Sequence, residues 1–336
     1  MPDPEIGLKL PTEASRPSFP VSKSAAEWAS HAESLGYTSI WMSEGWGAHT
    51  PMELATASMT TSSIRLCTAV LNVYARTPIV LAMAGATLQR LSDGRAILGV
   101  GPSHESAVRS LYGGSYDRPV RRTHETIKVI KELTGGTDSI TFDGEVVQVT
   151  DVPAMDEPVP VYNAALREAN RRATGRVADG WLPFMFPVSA LEEAFETVER
   201  TARERNRDPD DIRVTPQIIA AVNEDREEAK DAVRRFIATY IGALPNYRNG
   251  LKLWFPETAN AIGDAWEAGG LEAAMDAVTE EVLFELGIAG TSDEAIDQLT
   301  ELLANPTIDE PILYVPRDVP PEARDRTIRT LAPEHL

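Results

Sequence analysis

The chain has 336 residues, enough for one large α/β barrel or two ordinary domains, and its 43% hydrophobic content can fill a substantial core. A formal net charge of −19 argues against nonspecific nucleic-acid binding, which needs phosphate-neutralising Lys and Arg. A single cysteine, Cys67, excludes an intrachain disulfide and a cysteine-built metal site, and no apolar run approaches a bilayer span.

The N-terminal MPDPEIGLKLP has neither a basic region nor a long apolar core, so no secretory signal is expected, and the expectation is a soluble cytoplasmic protein. Lysine is scarce beside arginine. The acid excess suits either a salt-adapted or high-GC host or simply an acidic, soluble surface.

Eight short apolar stretches read as strands: Glu5–Leu10, Thr38–Met42, Ile64–Asn72, Arg95–Val100, Val159–Ala164, Gly180–Phe184, Ile212–Ala220 and Glu310–Val315. Helical patterns follow most of them. Ser22 or Ser24 can cap a first helix with Ala25, Trp28, Ala29, Ala32 and Leu35 on one stripe. Asp93-Gly94 closes the helix after Pro78. Ser139–Val149 reads as a hairpin turning at Asp143-Gly144. Ser189 can cap a helix carrying Leu191, Ala194 and Val198, residues of about 240–290 read as helical, and Ser292 begins a last acid-started helix. The fold class expected is an α/β (β/α)8 TIM barrel, one domain over residues 1–336. It carries a small hairpin after strand four and a helical insertion between strands seven and eight. A doubly wound sheet is the alternative.

In such a barrel the active site lies at the carboxyl ends of the strands. Those ends carry Lys9 to Pro11, Ser43, Glu44 and Trp46, Ala69 to Asn72, Gly99 to His104, Tyr162 to Arg167, Phe184, Gln217 and Tyr314. Asn163-Ala164-Ala165-Leu166 runs into a helix whose first-turn amides can hold a phosphate, with Arg167 and Arg171 near. The alternative is an ordinary βα turn with a solvated basic face. Gly99-Val100-Gly101-Pro102 lacks the third glycine and the following acid of a dinucleotide fingerprint, so a Rossmann reading is rejected. Glu44 is a candidate acid or base, or else a partner for Arg76. His104 is a candidate at a strand end, or a residue of a helix N-cap. No spacing of His, Glu and Asp suggests a metal site, and there is no nucleophile elbow or P-loop.

Three segments carry a resemblance: TPIVLAMAGATLQRLSDGRAILGVGP, GYTSIWMSE and PVPVYNAALREANRRATGRVADGWLPF. Over nearly its whole length the chain resembles the luciferase-like monooxygenase superfamily. Within it the chain looks most like the branch that uses the deazaflavin coenzyme F420 and the methylenetetrahydromethanopterin reductases. The resemblance implies an F420-dependent oxidoreductase passing a hydride between the deazaflavin and an organic substrate. It implies that Ala69-Val70 forms a bulge with a non-prolyl cis peptide behind the ring, followed by Asn72. It further implies that Gly101, Pro102 and Ser103 turn over the coenzyme, and that the amides of Asn163, Ala164, Ala165 and Leu166 hold its phosphate. Relatives also suggest a homodimer acting on a small molecule.

Three positions depart from the family pattern. Lys9 stands where the pterin reductases have a glutamate, His104 where they have an aspartate, and Glu44-Gly45 where deazaflavin enzymes commonly have Asp-His. Lys9, Glu44 and His104 are therefore the catalytic candidates, with Glu44 or His104 to handle the proton. A lysine and a histidine make the pocket less negative and favour an anionic substrate or developing negative charge. Two alternatives stand beside this reading: an FMN-dependent monooxygenase of the same fold, and a noncatalytic coenzyme-binding paralogue.

Overall fold

The computed structural model describes residues 4–10, 23–45 and 47–336. Pro11, Ser22 and Trp46 lie outside the described residues. The strands are β1 (Gly7–Lys9), β2 (Ser39–Met42), β3 (Arg65–Thr68), β4 (Leu71–Asn72), β5 (Ala96–Gly101), β6 (Ser139–Asp143) and β7 (Gln148–Pro153). They continue with β8 (Val161–Asn163), β9 (Gly180–Trp181), β10 (Arg213–Val214), β11 (Gln217–Val222), β12 (Gly287–Gly290) and β13 (Ile312–Tyr314). The helices are α1 (Ala25–Ser34), α2 (Thr50–Ser58), α3 (Pro78–Leu91), α4 (Glu105–Tyr112), α5 (Pro119–Gly135), α6 (Glu168–Val177) and α7 (Leu191–Arg203). After them come α8 (Arg226–Ala243), α9 (Pro245–Leu251), α10 (Pro256–Asp276), α11 (Glu280–Leu286), α12 (Ser292–Leu303) and α13 (Pro321–Thr330).

The described residues gather into two compact units. One takes its residues from Met1–Pro11, Pro183–Phe195 and Thr215–Leu336, the other from Thr12–Leu182 and Glu196–Val214. In the first unit β13 lies between β1 and β11, and β12 pairs with the far side of β11, all parallel. The register sets Lys9 opposite Tyr314 and Ile219 opposite both Tyr314 and Gly287. Helices α8 to α11 supply Val233, Ile237, Ile241, Leu251, Ile262, Val282 and Leu283 to one apolar cluster with Ile219 and Ala221.

In the second unit the parallel order is β10-β9-β8-β5-β3-β2, with β4 also paired to β5. Every residue of β2, β5 and β8 is buried. Parallel strands covered on both faces read as continuous apolar runs, which is why these stretches stood out in the sequence. Ser24 caps α1 in a reciprocal capping box with Glu27, and the amide of Gly94 returns to the Gln89 carbonyl to close α3.

Several expectations need correction. The strand expected over Ile212–Ala220 parts at Thr215-Pro216 into β10 and β11, where proline has no amide to give a ladder. The region of about 240–290 is not helical throughout: its last four residues form β12, a glycine-rich strand with little intrinsic β preference. Ser189 does not cap a helix. It sits in a 3-10 turn, Val188–Ala190, and its amide donates to Glu285. Helix α12 does begin at Ser292 as expected, with Thr291 as its cap in a capping box with Glu294.

The hairpin forms as β6 and β7, with Asp143 opposite Gln148 and β7 reaching Pro153. Its turn is held from α5. The buried carboxylate of Glu125 accepts the amides of Glu145, Val146 and Val147 at 3.0, 2.9 and 2.9 Å. Glu125→Ala leaves three amides without that acceptor and should cost about 2–3 kcal/mol, with the hairpin loosening first. Urea unfolding and amide exchange of residues 144–147 measure this; an unchanged midpoint and unchanged exchange would show that the turn does not depend on Glu125.

Candidate active site

In the second unit the carboxyl ends of β3, β4, β5 and β8 converge. The Ala69-Val70 peptide joining β3 to β4 is cis. The Ala69 amide donates to Met42 O at 2.7 Å, and the Ser43 hydroxyl donates to Ala69 O at 2.7 Å. Asn72 is opposite Gly101, and Val100 is opposite both Leu71 and Asn163. A Cβ on Gly101 would lie 3.2 Å from both Val70 Cγ2 and Ala164 Cβ. Gly101 is buried, and the small residues at 101 and 164 let this strand end, Val70 and the loop after β8 pack closely together.

The loop after β8 is tied down through its carbonyls. Asn170 Nδ2 donates to Ala164 O at 3.0 Å, Trp181 Nε1 to Ala165 O at 2.7 Å and Arg171 Nη1 to Leu166 O at 2.9 Å. Buried Asn163 does not face outward: its Nδ2 donates to Asn170 O and to Thr174 Oγ1. The amides of Ala165, Leu166 and Arg167 donate no hydrogen bond among the described residues. Free amides ahead of a helix such as α6 are able to donate to an anion. The Nδ2 of Asn72 is also buried without an acceptor among the described residues, while its Oδ1 accepts the Tyr74 amide at 2.8 Å.

The turn after β5 leads through Ser103, at φ 58°, whose carbonyl accepts the Tyr116 hydroxyl at 3.0 Å. Tyr116 stacks on Tyr74 with ring centroids 5.2 Å apart. His104 then caps α4. Its Nδ1 accepts the Ala107 amide at 3.3 Å and lies 2.8 Å from Ser106 Oγ, so the neutral ring carries its proton on Nε2. Burial lowers its pKa and favours that neutral ring.

Glu44 is bound on both oxygens. Arg76 forms a bidentate pair with it, Nη1 to Oε1 and Nη2 to Oε2 at 2.8 Å, and the Thr50 amide adds a bond to Oε2 at 3.1 Å. The structure therefore realises the alternative open in the sequence, a counter-ion for Arg76.

Lys9 belongs to the first unit, at the carboxyl end of β1. It is 6% exposed, and its ammonium donates to Gln217 Oε1 at 2.7 Å. The nitrogen stands 4.1 Å from the Tyr314 ring centroid and 5.2 Å from that of Phe184. No carboxylate pairs with it among the described residues. Burial first, then the charge of Arg317, lowers its pKa to about 7. Phe184, Phe236, Tyr240, Tyr247 and Tyr314 stack edge and face around this end of the unit. The strand-end rule named Phe184, Gln217 and Tyr314. It missed Asn170, Trp181, Tyr116 and Arg317, which act from a helix, a neighbouring strand and loops. Among the described residues no group of His, Cys, Asp and Glu could hold a metal ion, and no helix is long and apolar enough to cross a membrane.

Parallel strands joined by helices, with amide-rich and glycine-containing turns at their carboxyl ends, define a TIM-barrel-like α/β protein. The family model described as luciferase-like monooxygenase matches residues 5–310, and the chain belongs to that family. It is 29% identical to a 5,10-methylenetetrahydromethanopterin reductase of Methanolobus tindarius, over 85% of this chain and 88% of that protein. It is 27% identical to a putative coenzyme F420-dependent oxidoreductase of Mycobacterium tuberculosis, over 88% and 92%. The fold matches the solved coenzyme F420-dependent tetrahydromethanopterin reductase of Methanopyrus kandleri with a TM-score of 0.81, covering 98% of this chain and 97% of that one at 22% identity.

Arg76→Met leaves the Glu44 carboxylate, 7% exposed, without its cation. It should destabilise the protein by about 3 kcal/mol, and adding Glu44→Gln should recover a large part of the loss. Calorimetric unfolding of the single and double variants decides it. Equal melting of the wild type and Arg76→Met would refute a structural role for the pair.

Proposed function

We propose that this chain is an oxidoreductase that uses coenzyme F420 to move a hydride to or from a small organic substrate, with methylene-tetrahydropterins or folates as the substrate class. The observation that carries this reading is the meeting of Val70, Gly101 and Ala164 beside an unused Asn72 donor and three unused amides. An aromatic coenzyme with carbonyls on its ring edge and a phosphate on its tail suits those groups. When bound, the deazaflavin supplies the hydride chemistry.

The chain's own residues hold and orient it. Ala69, Val70, Gly101, Pro102 and Ser103 would enclose the ring, and Asn72 Nδ2 would donate to a ring carbonyl. Ala165, Leu166 and Arg167 would hold the phosphate through their amides; the Ala164 amide, expected to join them, instead donates to Val100 O at 3.0 Å, and Asn163 acts behind the loop to fix Asn170 and α6. Of the proton-handling candidates, His104 keeps a free Nε2, whereas Glu44 is committed to Arg76. Lys9 is the residue assigned to the substrate. Residues 1–336 work as one domain in this reading.

Anaerobic titration of the apo-protein with F420 and with FMN tests the assignment. F420 should bind at least tenfold more tightly, about 1.4 kcal/mol. Tight FMN binding without F420 affinity would sink the proposal in favour of a flavin monooxygenase. Reduced F420 should also be oxidised above blank by some member of a pterin and folate panel, which a noncatalytic paralogue would not do. Ala164→Leu, which crowds Gly101 and the amide loop, should weaken F420 binding roughly tenfold or more while leaving the melting temperature within a few degrees. Unchanged affinity would remove this loop from the site.

A further inference from the structure

Between Ser103 and Arg118 the chain runs over the strand ends of the second unit with few ties. Both residues have positive φ, 58° and 47°, in the left-handed region that a side chain disfavours. Of residues 104–117, which carry α4 and the loop after it, Val108 alone is buried. Their polar bonds are almost all internal. His104 caps α4, Glu105 pairs with Arg109, and the Gly114 amide returns to Val108 O. Among the described residues a single hydrogen bond joins them to an element outside the segment and its two ends: the Tyr74 hydroxyl donates to Asp117 O at 2.9 Å. The ring contact there is the Tyr74–Tyr116 stack, and Tyr116 in turn donates its hydroxyl to Ser103 O.

This lightly held segment nevertheless spans the candidate site. Burial raises the Tyr112 and Tyr116 hydroxyls. The charges that act next on Tyr112 are Glu44 and Arg76, in the loops after β2 and β4, and those around Tyr116 include Glu105 and Arg167, the latter just ahead of α6. The chain thus passes from the turn after β5 across the loops after β2 and β4 toward the loop after β8. Tyr74 itself follows closely on Asn72, whose Oδ1 accepts its amide.

A segment that buries one side chain and leans on one outside hydroxyl opens locally far more easily than the whole chain unfolds. A lid needs that low stability together with ends fixed beside the ligand. We propose that residues 104–117 form a strap over the candidate coenzyme site, hinged at Ser103 and Arg118 and latched by the Tyr74 hydroxyl, which opens to admit the coenzyme and closes on it. His104, the proton-handling candidate, is the first residue of the strap, so closure also sets that ring in place. The inference rests on the coenzyme reading only for what the strap covers; the hinges and the latch are properties of the chain itself.

Hydrogen exchange of the full-length protein, free and saturated with F420, tests this, with F420 binding titrated on the same samples. In the free protein the amides of residues 105–117 should exchange about a hundredfold or more faster than those of α5. Tyr74→Phe keeps the ring stack and removes the latch. It should speed strap exchange about fivefold and hasten F420 dissociation by a similar factor, while exchange in α5 stays as in the wild type. Tyr116→Phe, which frees the bond to the Ser103 hinge, should act in the same direction. Bound F420 should slow strap exchange about tenfold or more. Strap amides as slow as those of α5, or indifferent to both variants, overturn the strap. F420 that binds while strap exchange stays unchanged overturns its closure on the coenzyme and leaves the coenzyme reading standing. A latch-dependent strap in a protein that does not bind F420 overturns the coenzyme reading and keeps the hinges and latch.

Discussion

Strands β3 and β5 lie so close that residue 99 can have no side chain. A Cβ there would sit 2.0 Å from the Thr68 carbonyl oxygen and 2.6 Å from Leu182 Cδ1. The Thr68 hydroxyl uses that proximity to donate to Gly99 O at 2.8 Å. Thr68 immediately precedes Ala69-Val70, and Gly99 lies two residues before Gly101. The same contact that lets the strands close therefore fixes how the cis peptide faces the glycine turn. From Gly101 the register passes through Val100 to Asn163, and so to the loop whose amides stand free. Any bulk at residue 99 would shift all three strand ends at once.

The loop shows how a binding surface is made by satisfying the opposite side of the backbone. Each peptide has one donor and one acceptor, and buried ones are paired almost without exception. Here the carbonyls of Ala164, Ala165 and Leu166 are each taken by a side chain. That fixes the peptide planes and leaves the amides as the available groups. Arg171, whose position beside the loop suggests a phosphate ligand, spends part of its guanidinium on the Leu166 carbonyl instead. Its contribution to an anion there is as much the shape of the loop as its charge.

Most of the fold was legible in the sequence because the strands are buried on both faces and so read as unbroken apolar runs. Each of the eight stretches contains a strand. Where the reading failed, the local signal was weak or misleading: Gly287–Gly290 has too little side chain to look like a strand, and Thr215-Pro216 interrupts an otherwise continuous apolar run. The candidate site was legible as a set of strand ends, and its partners were not. Glu44 and Arg76 are 32 residues apart, Lys9 and Gln217 208 apart. Only the register, Lys9 opposite Tyr314 and Gln217 opposite Ile312 on the same strand, brings the latter pair together. The family resemblance located the cis peptide, because that feature follows the backbone and not any residue type.

The chain has 51 acidic residues against 32 basic ones, yet among the described residues no carboxylate is bonded to Lys9. A carboxylate would pair with the ammonium and raise its pKa. An amide oxygen and two ring faces hold the same nitrogen in place without neutralising it. Gln217 can accept one hydrogen bond from the ammonium while the remaining N–H groups keep their capacity for another acceptor. The rings favour the cation without supplying a counter-charge. Such a lysine is held firmly in position yet only weakly in protonation state.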